Sequence, residues 1–266
     1  MIAPGGTASL DRQETRVTQP DGVAPRLGFL YPAHSAEDDY PRIAARLRPV
    51  VAIDVVHTSI GEDAHRVDAL QDTGAEWRLF EGAATLRERG VDAAMWACTS
   101  GSFVFGLAGA RAQAQAVEDF LGVPVSSTSL AFGAAAQALG LARVAVAATY
   151  PDDIAQLFRG LLADLGVEVV HVGALGIVTG VEVGTLGRER VLALATANDH
   201  PAAEAILLPD TALHTVAWLD DLEAATGKVV LTANQVTVWQ ALRLVGRSEP
   251  QAGLGTLFRS TAGVAP

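Results

Sequence analysis

Short apolar runs alternate with longer segments of mixed character along most of this chain. RLGFLYP at 26–32, Val50 to Val56, VDAAMWA at 91–97 and the brief Pro124–Ser127 segment read as strands. Each is a compact apolar run bounded by turn-forming or small polar residues. Between them, helices are expected over the segment carrying Ile43, Ala44 and Leu47, over Leu79–Arg89, over 103–120 up to Gly122, and over Leu130–Leu139 up to Gly140. Glycine just past each of the last two periodic segments is a helix stop. The second half repeats the plan. Strands are expected at Arg143–Ala148, Val167–Val172, Ala205–Leu208 and 228–231, with helices at Asp152–Leu165, Arg188–Ala197, His214–Ala225 and Gln235–Val245. The glycine-rich passage 173–187 reads as a loop or a broken element.

Strands alternating with helices of this length indicate parallel βαβ units and an α/β fold. The halves also match each other. RLGFLYP at 26–32 answers RVAVAATYP at 143–151, and AAMWACT at 93–99 answers AILLPDT at 205–211. The reading is two pseudo-symmetric Rossmann-like domains, each a short parallel sheet flanked by helices, facing each other across a cleft. The expected division is a first domain of 26–122 plus 232–250 and a second of 123–231. Residues 1–25 and 251–266, polar and rich in turn formers, are expected as tails.

The chemistry concentrates at strand ends. Cys98, the single cysteine, follows an apolar run and precedes Thr99, Ser100 and Gly101. That places it at a strand's carboxyl end and near a helix start, where backbone N–H groups stabilise a thiolate or hold a carboxylate. The bland account is a small buried hydrophobe. Asp210 takes the matching place in the second half, on the opposite wall of the cleft. A thiol and a carboxyl group so placed suit proton delivery and removal on opposite faces of a carbon acid; alternatively Asp210 only caps a helix beginning near Ala212. Thr99, Ser100, Thr211 and the Tyr150 hydroxyl are expected to hold a substrate carboxylate or a developing enediolate. His34, Ser35 and Asn234 lie at the same mouth, as do His57 and His214.

Composition narrows the classes. Of 266 residues, 30 are acidic and 19 basic, a net charge of -11 that disfavours nucleic acid and anionic membrane surfaces as partners. One cysteine excludes an internal disulfide and a cysteine-cluster metal site. Six histidines without regular spacing give no metal motif, and neither a P-loop nor a dinucleotide fingerprint is present. No metal and no cofactor are expected. The Glu37–Asp39 acidic run reads as a solvated helix start rather than a cation site. The N-terminal segment lacks the features of a signal peptide, and no apolar run is long enough to span a bilayer, so cytoplasmic residence is expected.

CTSG after the first-half strand, TYP after the opening second-half strand, and ILLPDTALHT followed by GKVVLTANQVTVWQALRLVG together resemble the maleate cis–trans isomerase and arylmalonate decarboxylase branch of the aspartate/glutamate racemase superfamily. YPAHSAEDDYP is similar to the ectoine-utilisation proteins of that superfamily. The resemblance implies an active site between pseudo-symmetric domains, no cofactor, a small carboxylate substrate and a homo-oligomer such as a dimer. It puts Cys98 on the first-half catalytic cysteine, Thr99, Ser100 and Tyr150 on carboxylate-holding positions, and Asn234 in an Asn-Gln turn. It also marks two departures. Asp210 stands at the second-half cysteine position, and Ser35 at that of a substrate-binding asparagine. The arylmalonate decarboxylases use only the second-half cysteine, so this chain carries the opposite half of their equipment.

The expectation is therefore an isomerase or racemase-like enzyme working through Cys98 with Asp210 opposed. A cofactor-free decarboxylase, or a cysteine-dependent hydrolase in the same cleft, is the second reading. A carboxylate-binding protein with an inert Cys98 is the third.

Overall fold

The apolar runs assemble into two parallel four-stranded sheets in the computed structural model, which describes residues 24–260. The first half runs β1 (Arg26–Pro32), α1 (Asp39–Ala44), β2 (Ala52–Thr58), α2 (Val67–Thr73), α3 (Glu76–Arg89), β3 (Ala93–Trp96), α4 (Ser100–Phe103), α5 (Gly106–Leu121), β4 (Val125–Ser127) and α6 (Thr128–Ala138). The second runs β5 (Arg143–Ala148), α7 (Asp152–Asp164), β6 (Glu168–Ala174), α8 (Gly180–Gly184), α9 (Arg188–Ala197), β7 (Ala205–Leu208), a 3-10 turn (Val216–Trp218), α10 (Leu219–Thr226), β8 (Val229–Thr232) and α11 (Ala233–Leu244). A last short helix, α12, spans Gly255–Arg259.

The sheet orders are β2-β1-β3-β4 and β6-β5-β7-β8, the same order once the second sheet is counted from β5. All ladders are parallel, and both faces of each sheet are covered, as parallel sheets require. Side chains alternate between two cores. Leu27, Phe29 and Met95 point into one apolar layer shared with Val144, Val146 and Leu207 of the other sheet. Leu30, Ala94 and Trp96 face an outer cluster of the first half, and Ala145, Ala147 and Ile206 face one of the second. At the centre α6 packs against α11, where Thr128 Oγ1 and Thr237 Oγ1 share a hydrogen bond of 2.6 Å. The small Ala131, Ala135 and Ala241 side chains, all fully buried, suit that close approach.

Four local differences from the sequence expectations have physical causes. The helix expected over 103–120 is broken in two, because Gly106 adopts a left-handed φ of 66° that ends one turn and starts another. α2 falls in the polar stretch after β2, where only a few apolar positions mark a seven-residue helix. The helix expected from His214 starts at Leu219, since residues 211–216 are committed to other hydrogen bonds described below. Described residues 251–260 are not a loose tail. Leu257 and Phe258 of α12 are buried in the shared core, and the Gln251 amide bridges the backbone N–H and carbonyl of Arg48. The expected division at 122 also precedes β4, which pairs with β3 in the first sheet, so sheet membership changes after Ser127. The expected N-terminal tail at 1–23 lies outside the described residues.

Candidate active site between the two sheets

β3 and β7 are the equivalent third strands of the two halves, and each is followed by one residue and then a reactive side chain. Cys98 stands two positions past Trp96, and Asp210 two positions past Leu208. Both are nearly buried, at 4% and 5% exposure, and both line one solvent-open cavity of about 640 Å³.

The surroundings of Cys98 decide its protonation. Gly101 N–H donates to Sγ at 3.3 Å and Ser100 Oγ lies 3.9 Å away. A Cβ on residue 101 would sit 3.2 Å from Sγ, so glycine is what lets that N–H approach. Burial nevertheless dominates and pushes the thiol up to about 12, the nearby Asp210 charge adding to the effect. The sequence expectation of a thiolate favoured by a helix start is thus corrected. The helix there is a four-residue turn, and the backbone donors of Gly101 and Ser100, with a distant hydroxyl, do not offset desolvation. Cys98 is a neutral thiol.

Asp210 is held on both oxygens. Thr149 Oγ1 donates to Oδ2, and Ala212 N–H donates to Oδ1 at 2.9 Å. A carboxylate retains further lone pairs beyond these two, so a substrate proton can still be accepted. No helix begins at Ala212; the carboxylate caps a turn instead.

Of the other expected site residues, His34, Ser35, Ser100 and Thr211 line the cavity, while Thr99, Tyr150 and Asn234 do not. The Thr99 hydroxyl is buried without a hydrogen-bond partner, and the Thr99 carbonyl accepts from Ser129 Oγ. Tyr150 donates to the Pro209 carbonyl at 2.6 Å, which braces the strand end just before Asp210. Asn234 is fully buried and spent on protein contacts. Its Nδ2 donates to Asp39 Oδ2 and the Thr211 carbonyl, each at 3.2 Å, and its Oδ1 accepts from Tyr40. It braces the Thr211 loop from behind the cavity wall.

That loop is gripped from the first half. Asp39, fully buried, accepts from the N–H groups of Thr215 and Val216, and burial raises its pKa. Asp38 pairs with His214 at 2.8 Å. The acidic run expected to be solvated is, in its second and third members, an inter-sheet clamp. Glu37 instead meets His34 and His57 at the cavity mouth. Burial opposes its charge, but hydrogen bonds from His34 and from backbone N–H groups hold its carboxyl down at about 2.

Several cavity residues carried no signal in sequence. Tyr31 lines the cavity, donates to the Thr211 carbonyl at 3.0 Å and accepts from Ala36 N–H at 3.0 Å. Burial lifts its pKa well above the ordinary value, so it stays a neutral hydroxyl. The loop after β2 crosses to the second half. Asp63 accepts from Gly180 and Val181 N–H, and His65 N–H and Nδ1 both contact carbonyls, those of Val178 and Ile177. After β1, Ala33 takes a left-handed φ of 52°, the strained turn that presents His34 and Ser35. Among the described residues no lysine or arginine lines the cavity, whereas Glu62, Asp63 and Asp210 do.

Residues 67–258 match the family described as arylmalonate decarboxylase. The arylmalonate decarboxylase of Bordetella bronchiseptica is 30% identical over 187 residues, covering 68% of this chain and 76% of that protein. Among solved structures, the maleate isomerase Iso of Pseudomonas putida aligns with a TM-score of 0.82 and 20% identity, over 90% of this chain and 99% of that one. A Nocardia farcinica maleate cis–trans isomerase mutant bearing a succinylcysteine intermediate gives 0.81 and 22%, over 89% and 99%. A double mutant of arylmalonate decarboxylase in a liganded form gives 0.79 and 25%, over 88% and 99%. The isomerase likenesses, at those identities, speak to the fold.

Proposed function

The chain belongs to the arylmalonate decarboxylase family, and on that footing we propose that it is a cofactor-independent enzyme moving a proton at a carbon next to a small carboxylate, with an isomerase or racemase outcome. The observation that carries this reading is the placement of Cys98 and Asp210 at equivalent strand ends, lining one cavity. Asp210 takes the proton from the carbon on one face. The electron pair left behind delocalises into the substrate carboxylate as an enediolate, which Ser100 and neighbouring backbone donors stabilise. Cys98, neutral because it is buried, returns its own proton on the other face and is left as thiolate. Product release and proton exchange with solvent restore thiol and carboxylate.

Cofactor-free decarboxylation is the second reading, favoured by the family match. There the enediolate forms as carbon dioxide leaves, Cys98 supplies the proton, and Asp210 has no proton to take. Addition of sulfur to a double bond fits less well, since it needs a thiolate and burial opposes one.

A panel of small mono- and dicarboxylates, incubated in D2O with wild type and C98A, separates these outcomes. Deuterium entering the substrate carbon with the skeleton intact supports proton transfer with inversion. Release of carbon dioxide supports decarboxylation. Turnover by C98A equal to wild type on the same substrate sinks both.

A further inference from the structure

Beside the Cys98–Asp210 pair, three first-half side chains aim ligand atoms at one point. His34 and Glu37 come from the β1–α1 connection, and His57 from the end of β2, where the ladder sets it opposite Tyr31. His34 Nδ1 lies 2.9 Å and His57 Nε2 3.4 Å from the same oxygen, Glu37 Oε1. The three ligand atoms are all within 4.8 Å of one another. The two rings stack with centroids 3.9 Å apart, and Glu37 Oε2 accepts Ser35 N–H at 2.7 Å, which fixes the plane of the carboxylate.

A hydrogen bond between one imidazole and Glu37 explains one of these contacts. The second imidazole nitrogen comes to the same oxygen, so two nitrogens and one carboxylate oxygen converge from separate elements. Two imidazole nitrogens and a carboxylate oxygen are a donor set that borderline divalent cations take up. Around a tetrahedral ion with bonds of about 2.0–2.2 Å, ligand atoms stand roughly 3.3–3.5 Å apart. The two nitrogen–oxygen separations, 2.9 and 3.4 Å, lie near that span, and the two nitrogens, within 4.8 Å of each other, would draw together around the ion.

The geometry points to a binding site for one divalent transition cation of the zinc type, held by His34 Nδ1, Glu37 Oε1 and His57 Nε2 at the mouth of the cavity. Three protein ligands leave a position for water or a carboxylate oxygen. His34 lines the cavity, so that position is within reach of a bound small acid. The ion brings positive charge to a cavity whose described lining holds three carboxylates and no lysine or arginine. The site does not depend on the reaction assigned to Cys98 and Asp210.

Untagged protein stripped of metal, titrated with Zn2+ by calorimetry and with Co2+ by visible absorption, tests this. The expected result is one equivalent bound, with affinity reduced at least roughly tenfold in both H57A and E37Q and unchanged in H200A, which alters the separate His171–His200 stack. These ligands are partly exposed, with side-chain exposures of 73%, 25% and 35% for His34, Glu37 and His57, so the variants are expected to fold, and far-UV circular dichroism verifies it. Absence of stoichiometric binding in wild type overturns the proposal, and so does wild-type affinity in folded H57A and E37Q.

Discussion

The Tyr31 hydroxyl, at the end of β1, donates to the carbonyl of Thr211, the residue after Asp210, at 3.0 Å. One phenol thereby ties the first sheet to the loop carrying the second reactive group, and it is buried at 1% exposure. Y31F removes that bond and also strands Ala36 N–H, which the same oxygen accepts. The cost of leaving such groups unpaired is about 1–3 kcal/mol. Urea unfolding is expected to show that loss together with reduced turnover. Wild-type stability in Y31F is the result that contradicts the tie.

Alkylation of Cys98 reports its protonation directly. With the thiol pushed up to about 12 against an ordinary value of about 8.5, the thiolate fraction at pH 8 is lower by roughly three orders of magnitude. The iodoacetamide rate is expected to climb steadily across the alkaline range. A plateau near pH 9 contradicts it. Linkage has the same sign: the unfolded chain sheds this proton first, so the contribution of Cys98 to stability is full below the ordinary thiol range and is lost as pH rises toward about 12. C98A is expected to flatten that alkaline loss.

Asp210 separates the two readings of the reaction. D210N cannot accept a proton, and loss of a general base costs on the order of 10²–10⁴-fold in rate. Deuterium exchange into substrate is expected to fall by that much, whereas a decarboxylation needing only Cys98 survives far better. Equal exchange by wild type and D210N would remove Asp210 from the mechanism.

Gly101 is expected to accommodate a side chain poorly. A Cβ there meets Cys98 Sγ and the Trp96 ring at 3.2 Å, inside a fully packed region. Crowding of this kind costs about 1–3 kcal/mol. G101A also moves the backbone N–H that donates to Sγ at 3.3 Å. Lower stability and slower alkylation at fixed pH are the expected readings, and an unchanged thiol rate argues against control by this contact.

Much of this was legible in the sequence because apolar runs end sharply where strands end. Arg188–Ala197 and Ala205–Leu208 fall where the pattern places them. Matching the halves put Cys98 and Asp210 at the same offset, and the repeated sheet order accounts for it. What stayed hidden depends on chain segments far apart in sequence. Asn234 carries no mark of the knot it makes with Asp39, Tyr40 and Thr211. His34 and His57 show no spacing, since it is the pairing of β1 with β2 that brings them together. The protonation of Cys98 is hidden for a related reason: burial, which sets it, is not written in the four residues around it.

The apolar layer common to both sheets bears on how the molecule comes apart. Leu27 and Met95 share it with Val146, Leu207 and Phe258, so neither half can melt and leave its neighbour with an intact interior. A scanning calorimeter is therefore expected to record a single cooperative endotherm, with calorimetric and van't Hoff enthalpies in agreement, despite the duplicated architecture.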